Sequence, residues 1–466
     1  MRTLALLLSL ALVLIATPAL LLLNLVTLAF HWSNVVFYFA IAAVVYGLLA
    51  AVGWSLNRKF NAETEAFVRG ETQTLMPRPS LLRTFGLLLI TLLPYLVFLL
   101  LFAVFVAGAF GVYGFWAVSL LPRIPVVILV GLAVVVLGTA AAFFIGIYRL
   151  LFPPKPRTFG IELGPDDQPE IWAMSREVAQ SVGTKAADQI VLTPDPGISV
   201  HLAGALLATL FGGGKRVLQL GVPSIHELTV SELRAILAHE YGHFSNRDTQ
   251  WSTFTYALGN GLSAAFRATP GPLQTEGNSL FGVVLALNPG YWTLFLFLKL
   301  FARVTSAFSR IREVMADISA MKLYGGEPFA KGLAKVAFND AVFAGIVQGE
   351  VVPSLLKEQK VVTDLASIMR LVTSDLSAEQ RAEISGPEAA EAGEFDSHPA
   401  IATRLTYAAR FGDSAAATDL RDVSTLFREW PSVNETLAKL YNQRLFAYLQ
   451  AVQAAEAQAA ATAAAG

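Results

Sequence analysis

Four long apolar runs occupy the first third of the chain, at Leu4 to Phe30, Val35 to Leu56, Phe85 to Val112 and Ile124 to Tyr148. Each exceeds the roughly 20 residues a helix needs to cross a hydrocarbon core, so the pattern predicts a four-helix transmembrane region over residues 1–150. Arg2 ahead of the first run, and Ala16-Thr17-Pro18-Ala19 within it, also fit a cleaved leader. The apolar stretch continues well past that point, which favours a retained helix.

After Tyr148 the periodicity changes. Pro153-Pro154-Lys155-Pro156 reads as a stiff linker, Ile171 to Val182 as an amphipathic helix and Gln189 to Leu192 as a strand. Gly197 to His201 and Val217 to Gly221 are two further candidate strands, separated by Gly212-Gly213-Gly214. From Pro328 the pattern is mainly helical. Pro353 to Glu394 is a polar, acid-leaning surface excursion placed to gate a cleft, and Ala451 to Gly466 is alanine-rich, a frayed helix or a disordered tail. The division expected is residues 1–150, then a catalytic domain over 151–413 with an apolar membrane-associated insertion at 251–308, then a helical segment and tail over 414–466.

The insertion is ambiguous by hydropathy. Trp251 to Ala268 is polar for a span, and Gly290 to Val304 is interrupted by Lys299 and Arg303. An amphipathic or re-entrant arrangement on the membrane surface is the expectation, with two crossings as the alternative.

Composition and charge sharpen this picture. The chain is 55% hydrophobic and 15% charged, which fits a membrane anchor carrying a soluble domain. Arg2, the Arg58 to Arg83 cluster and Arg149, Lys155 and Arg157 fall on one side of the predicted spans, so the positive-inside rule puts everything after Tyr148 in the cytoplasm. Absence of cysteine agrees with a reducing compartment. A formal net charge of -1 and the lack of a basic stripe or phosphate-binding glycine loop exclude any electrostatic case for nucleic-acid binding.

The chemistry is concentrated in His239-Glu240-Tyr241-Gly242-His243, in a chain with six histidines. Two histidines four apart on a helix share a face and can hold one zinc ion. Glu240 beside them can take a proton from attacking water and deliver it to a leaving amine. The alternative is two ordinary helix histidines. Ser231 is expected to cap this helix, with Leu233, Ile236 and Leu237 as its apolar stripe and Ala238 and Gly242 leaving room for close approach. Asp248, just past the helix, could hold a histidine ring by its other nitrogen or be a solvated helix-end carboxylate.

A catalytic zinc site needs a third ligand that leaves a fourth position for water. Glu313 is the best candidate, with Asp317 four residues on and supporting the site from behind. By spacing alone this pair also fits a solvated helix face.

Three blocks in order resemble the HtpX and CAAX prenyl protease 1 family of membrane zinc metallopeptidases. They are Leu237-Ala238-His239-Glu240-Tyr241-Gly242-His243 followed by Asn246-Arg247-Asp248, then Ser309-Arg310 with Glu313 and Ala316-Asp317, then Ser397-His398-Pro399 with Arg404. The resemblance covers roughly Ile190 to Arg410. It implies an α-helical membrane region joined to an α+β zincin-like metallopeptidase domain, mostly helical, with a small sheet beside the active-site helix. It also implies His239, His243 and Glu313 as zinc ligands and Glu240 as general base and later acid. His398 and Arg404 would lie near the site, able to stabilise an oxyanion, although a histidine before proline is also a common turn residue. A substrate-binding edge strand is implied upstream. Here the family's Asn-Ala pair has no clear equivalent, and His201, which also fits a surface position, falls in the neighbourhood.

The reading is a multi-pass endopeptidase, in a bacterial cytoplasmic membrane, that cuts membrane-associated or misfolded proteins. A catalytically silent membrane adaptor with the same fold is the competing reading. A transporter-like module ranks below both, because the spans carry almost no charge.

Overall fold

The computed structural model describes residues 2–122, 126–151, 159–203, 214–245, 249–269, 288–358, 360–386, 399–412 and 418–464. The four apolar runs form helices α1 (Arg2–Val26), α2 (Trp32–Val68), α3 (Pro79–Ser119) and α4 (Val126–Leu151). By length and composition α2, α3 and residues 128–145 of α4 can cross a membrane, and α1 contributes an apolar stretch at Leu12–Val26. The helices α2 and α3 overrun their apolar stretches because nothing in Asn57 to Val68 or Pro79 to Thr84 breaks a helix once Pro79 has occupied its first position. In the bundle interior the Tyr95 hydroxyl donates to the Ala42 carbonyl at 2.8 Å, so its buried polar tip is satisfied.

The soluble part contains a four-stranded sheet of β1 (Ile161–Glu162), β2 (Gln189–Thr193), β3 (Ile198–Ala203) and β4 (Lys215–Gly221), in the order β1-β2-β4-β3. The pair β2 and β4 is parallel, whereas β3 runs antiparallel to β4 and forms an edge. Pro194 to Gly197 must therefore arch over the end of β4. Gly197 takes φ +114 there, and a side chain on Gly221 would meet the Gly197 backbone at 2.9 Å.

Behind the sheet, α5 (Pro169–Val182) packs on α6 (Val230–Gly242), which carries His239 and ends on His243 as its C-terminal cap. The hydroxyl of buried Tyr241 ties α6 in place, lying 2.6 Å from Ser175 Oγ on α5 and accepting from the Ala187 N–H at 3.1 Å. Thr229, rather than Ser231, caps α6. Its hydroxyl accepts from the Glu232 N–H at 3.2 Å and Glu232 accepts from the Thr229 N–H at 2.8 Å, a reciprocal capping box. Ser231 lies inside the helix, accepting from the Asp419 N–H at 2.7 Å.

The apolar insertion packs against the N-terminal helices. Within it, α7 (Thr249–Ala268) packs along α4, and the first half of α8 (Pro289–Tyr324) packs against α2 and α3. The reason is facial segregation: Leu294, Phe297, Leu300, Phe301 and Val304 are buried, while Lys299 and Arg303, which lower the segment's hydropathy, lie on its exposed side. Asn288 begins α8, accepting from the Gly290 N–H at 3.0 Å and from Thr139 of α4 at 3.1 Å. At the other end of this contact Phe308 packs on Phe60 and Phe85, with ring centroids 5.8 and 4.2 Å away. Residues 270–287 lie outside the described residues.

Beyond α8 follow α9 (Gly326–Val342), a π-helical stretch (Phe343–Val351) and α10 (Val352–Lys357). Pro353 to Glu394, expected as a polar surface excursion in a mainly helical region, contains α11 (Leu365–Asp375) and α12 (Ala378–Ile384) as far as it is described. The chain closes with α13 (Ile401–Ala408) and α14 (Trp430–Ala464), so the alanine-rich segment is helical to Ala464. Gly212, Gly213 and the proline linker at 153–156 lie outside the described residues.

Candidate active site

Two helices meet where small residues let them. A side chain on Gly242 of α6 would stand 3.2 Å from Ala316 Cα of α8, so the pair permits an unusually close crossing. That crossing sets His239 and His243 opposite Glu313. Nε2 of His239 lies 3.4 Å from Glu313 Oε2, and Nε2 of His243 lies 3.5 Å from Oε1. One ligand atom from each of the three residues falls within 4.8 Å of the other two. Donors held about 2.0–2.1 Å from a tetrahedral zinc are about 3.4 Å apart, so this donor set, two imidazoles and a carboxylate, fits the ion.

The imidazoles are in different electrostatic states. Burial drives His243 down to about 3, so it is neutral, the form a ligand requires. Burial pushes His239 down as well, but the charge of Asp317 and hydrogen bonds to Asp317 and Glu313 override it and raise it to about 10. A metal would take the place of the proton on Nε2, while the proton on Nδ1 stays facing Asp317.

Asp317 organises the rear of the site. Its Oδ1 is 2.7 Å from His239 Nδ1, and it accepts from Arg404 Nε at 2.9 Å, from Arg404 Nη2 at 2.6 Å and from the Tyr407 hydroxyl. Burial would raise its carboxyl, but the Arg404 charge and then His239 hold it at about 2. Arg404 is itself buried, with Nε and Nη2 turned to Asp317. It thus holds Asp317 on the side of His239 away from Glu313.

Glu240 lies beside the ligand set without joining it, with Oε1 3.9 Å from His239 Nε2. Burial raises its carboxyl above the ordinary range. The Val200 N–H of edge strand β3 donates to Glu240 Oε2 at 3.4 Å, so the outer backbone edge of β3 faces this carboxylate. His201, next on the strand, is half-buried rather than a free surface residue, and burial lowers its pKa. Asp248 and His398 lie outside the described residues.

Three contributors were not singled out from the sequence. Tyr407 follows Arg404 by three residues on α13, a helical spacing that could have revealed it. Arg312 donates to the His243 carbonyl at 3.2 Å, placing a cation on the end of α6. The Val200 N–H carries no side-chain signal at all.

The family model of peptidase family M48 matches residues 167–410, more than half of the 466-residue chain. A protease HtpX of Pseudoalteromonas atlantica is 22% identical over 180 residues, 38% of this chain and 60% of that protein. A protease HtpX homolog of Pyrococcus abyssi is 25% identical over 186 residues, 38% of this chain and 58% of that one. One from Halobacterium salinarum is 37% identical over 109 residues, 23% of this chain and 35% of its relative. The chain thus spans less than two thirds of the length of these relatives. No solved structure matches it.

Proposed function

The chain belongs to peptidase family M48, and from that premise we propose that it is a membrane-bound zinc endopeptidase that cuts membrane-associated or misfolded proteins at the cytoplasmic face. The observation that carries this reading is the convergence of His239, His243 and Glu313 within 4.8 Å, beside Glu240 and an open strand edge. A bound zinc ion supplies Lewis acidity, polarising the scissile carbonyl and making water reactive near neutral pH.

The remaining work falls to the chain. Glu240 accepts the proton of the attacking water and returns it to the departing amine, and the burial that raises its pKa makes it a stronger base. An extended substrate segment adds to the outer edge of β3 by main-chain hydrogen bonds, which lays its scissile bond alongside Glu240. The carboxylate of Asp317 holds the His239 ring and is itself held by Arg404 and Tyr407. The lengthwise packing of α7 and α8 on the spans supports two further passes through the bilayer, an even number that would leave both metal blocks on one side. The basic residues flanking α2, α3 and α4 support the cytoplasmic assignment.

The test pairs metal analysis with cleavage of casein, using detergent-purified wild type and Glu240→Gln. Stoichiometric zinc in both is expected, with cleavage reduced about 10²–10⁴-fold in the variant. Folded protein that takes up no zinc, or a variant that cuts as well as wild type, would overturn the reading.

A further inference from the structure

The edge strand that faces Glu240 is held at its start by the C-terminal helix, which lies outside the region matched by the family model. Arg444 of α14 makes a bidentate pair with Asp195, Nη1 to Oδ2 at 2.6 Å and Nη2 to Oδ1 at 2.6 Å. Its guanidinium lies over the rings of Phe159 and Tyr441, 4.5 and 5.3 Å from their centroids. Two planar contacts and a two-pronged carboxylate bond leave that guanidinium one orientation.

Asp195 sits between Pro194 and Pro196 in the arch that leads into β3. Two prolines leave the arch little freedom of its own, so a restraint on Asp195 is passed along the backbone. A second restraint acts two residues later, where the Gly197 N–H donates to Ser224 Oγ at 2.5 Å and Ser224 in turn bonds to Asp340 of α9. Three residues beyond Gly197 is Val200, whose N–H reaches Glu240.

We propose that Arg444 is a positioning residue for substrate: by clamping Asp195 it sets the register and height of β3 against Glu240, so the C-terminal helix governs how an extended peptide is accepted. This rests on the reading of the site as a peptidase centre. Its signature is a change in KM, because the clamp touches neither the metal ligands nor Glu240.

Arg444 does not anchor α14 alone. Asn442 keeps that helix docked, accepting from the Val362 N–H at 3.0 Å and donating to the Val362 carbonyl at 2.6 Å. The experiment uses the full chain in detergent with labelled β-casein, comparing wild type, Arg444→Asp, Asp195→Arg and the double variant. Each single change is expected to raise KM about fivefold or more with kcat within about twofold, and the swapped pair to restore KM. In parallel, amide hydrogen exchange over residues 198–203 is expected to quicken about tenfold in each single variant, to return in the double, and to stay constant over α6.

Unchanged exchange would overturn the clamp. Faster exchange with unchanged KM would overturn its role in substrate acceptance, as would a fall in kcat alone. A wild type that cuts no casein would sink the peptidase reading instead, and the exchange measurement would still decide the clamp.

Discussion

Asp317 reaches His239 from the side of the ring opposite Glu313, with Oδ1 2.7 Å from Nδ1 while Nε2 faces the Glu313 carboxylate at 3.4 Å. One imidazole is thereby divided between two jobs, with one nitrogen anchored and the other aimed. Asp317→Asn should weaken zinc binding about 10–100-fold while leaving all three ligand residues in place. Competition with a chelator of known affinity measures this directly, and unchanged affinity would deny Asp317 its part in aiming the ring.

Arg404 should matter through Asp317 rather than through substrate. Removing it leaves a fully buried carboxylate without its cation, a change that costs about 3–5 kcal/mol. Thermal unfolding of Arg404→Met should therefore occur well below that of wild type, with metal lost as the site loosens. A variant of normal stability and zinc content that has lost activity would favour the oxyanion role that the family resemblance implies for Arg404.

The local features of the site were legible in the sequence because helices repeat. Four-residue spacing puts His239 with His243 and Glu313 with Asp317 on common faces, and the structure brings the two faces together. The start of α6 was misplaced by two residues because Thr229 and Ser231 are both good capping types, and only the reciprocal bond to Glu232 distinguishes them. The buried face of α8 is hidden for a different reason. Hydropathy averages around a helix, so Lys299 and Arg303 counted against burial even though they share an exposed side. Partnerships across long sequence separations, such as Arg404 with Asp317 or Arg444 with Asp195, leave no local trace.

Asp340 predicts a pH dependence of stability distinct from the metal site. Burial raises its carboxyl from 3.8 to about 6, against the opposing hydrogen bond from Ser224. The folded state therefore binds the proton more tightly than the unfolded chain. Stability from this group is greatest below about pH 4, falls as pH rises towards 6 and is level above that. The full difference is of order 3 kcal/mol, reduced to about 1–2 because the side chain is only partly buried. Asp340→Asn, which keeps an acceptor for Ser224, should raise the unfolding temperature at pH 7.5 and leave it nearly unchanged at pH 4. An equal shift at both values would show that the carboxyl's charge is not responsible.

Gly242 offers the sharpest test of how the ligand set is assembled. Its position needs no left-handed backbone, so what it supplies is absence of bulk: a Cβ there would meet Ala316 Cα at 3.2 Å and Ala316 Cβ at 3.4 Å. Gly242→Ala asks the neighbouring helix for a few tenths of an ångström, whereas Gly242→Val asks for more than a packed helix pair can give without parting. Overpacking of this kind costs about 1–3 kcal/mol, which the fold can absorb. The metal site is less tolerant, because His243 is the next residue on α6 and Glu313 lies three before Ala316 on α8. Moving the helices apart lengthens the 3.5 Å approach of His243 Nε2 to Glu313 Oε1 directly. Gly242→Val should accordingly remain folded, judged by cooperative unfolding, yet hold zinc at least about 10-fold more weakly than wild type, with Gly242→Ala in between. Full zinc affinity in a folded Gly242→Val protein would mean that the spacing of α6 and α8 does not set the site.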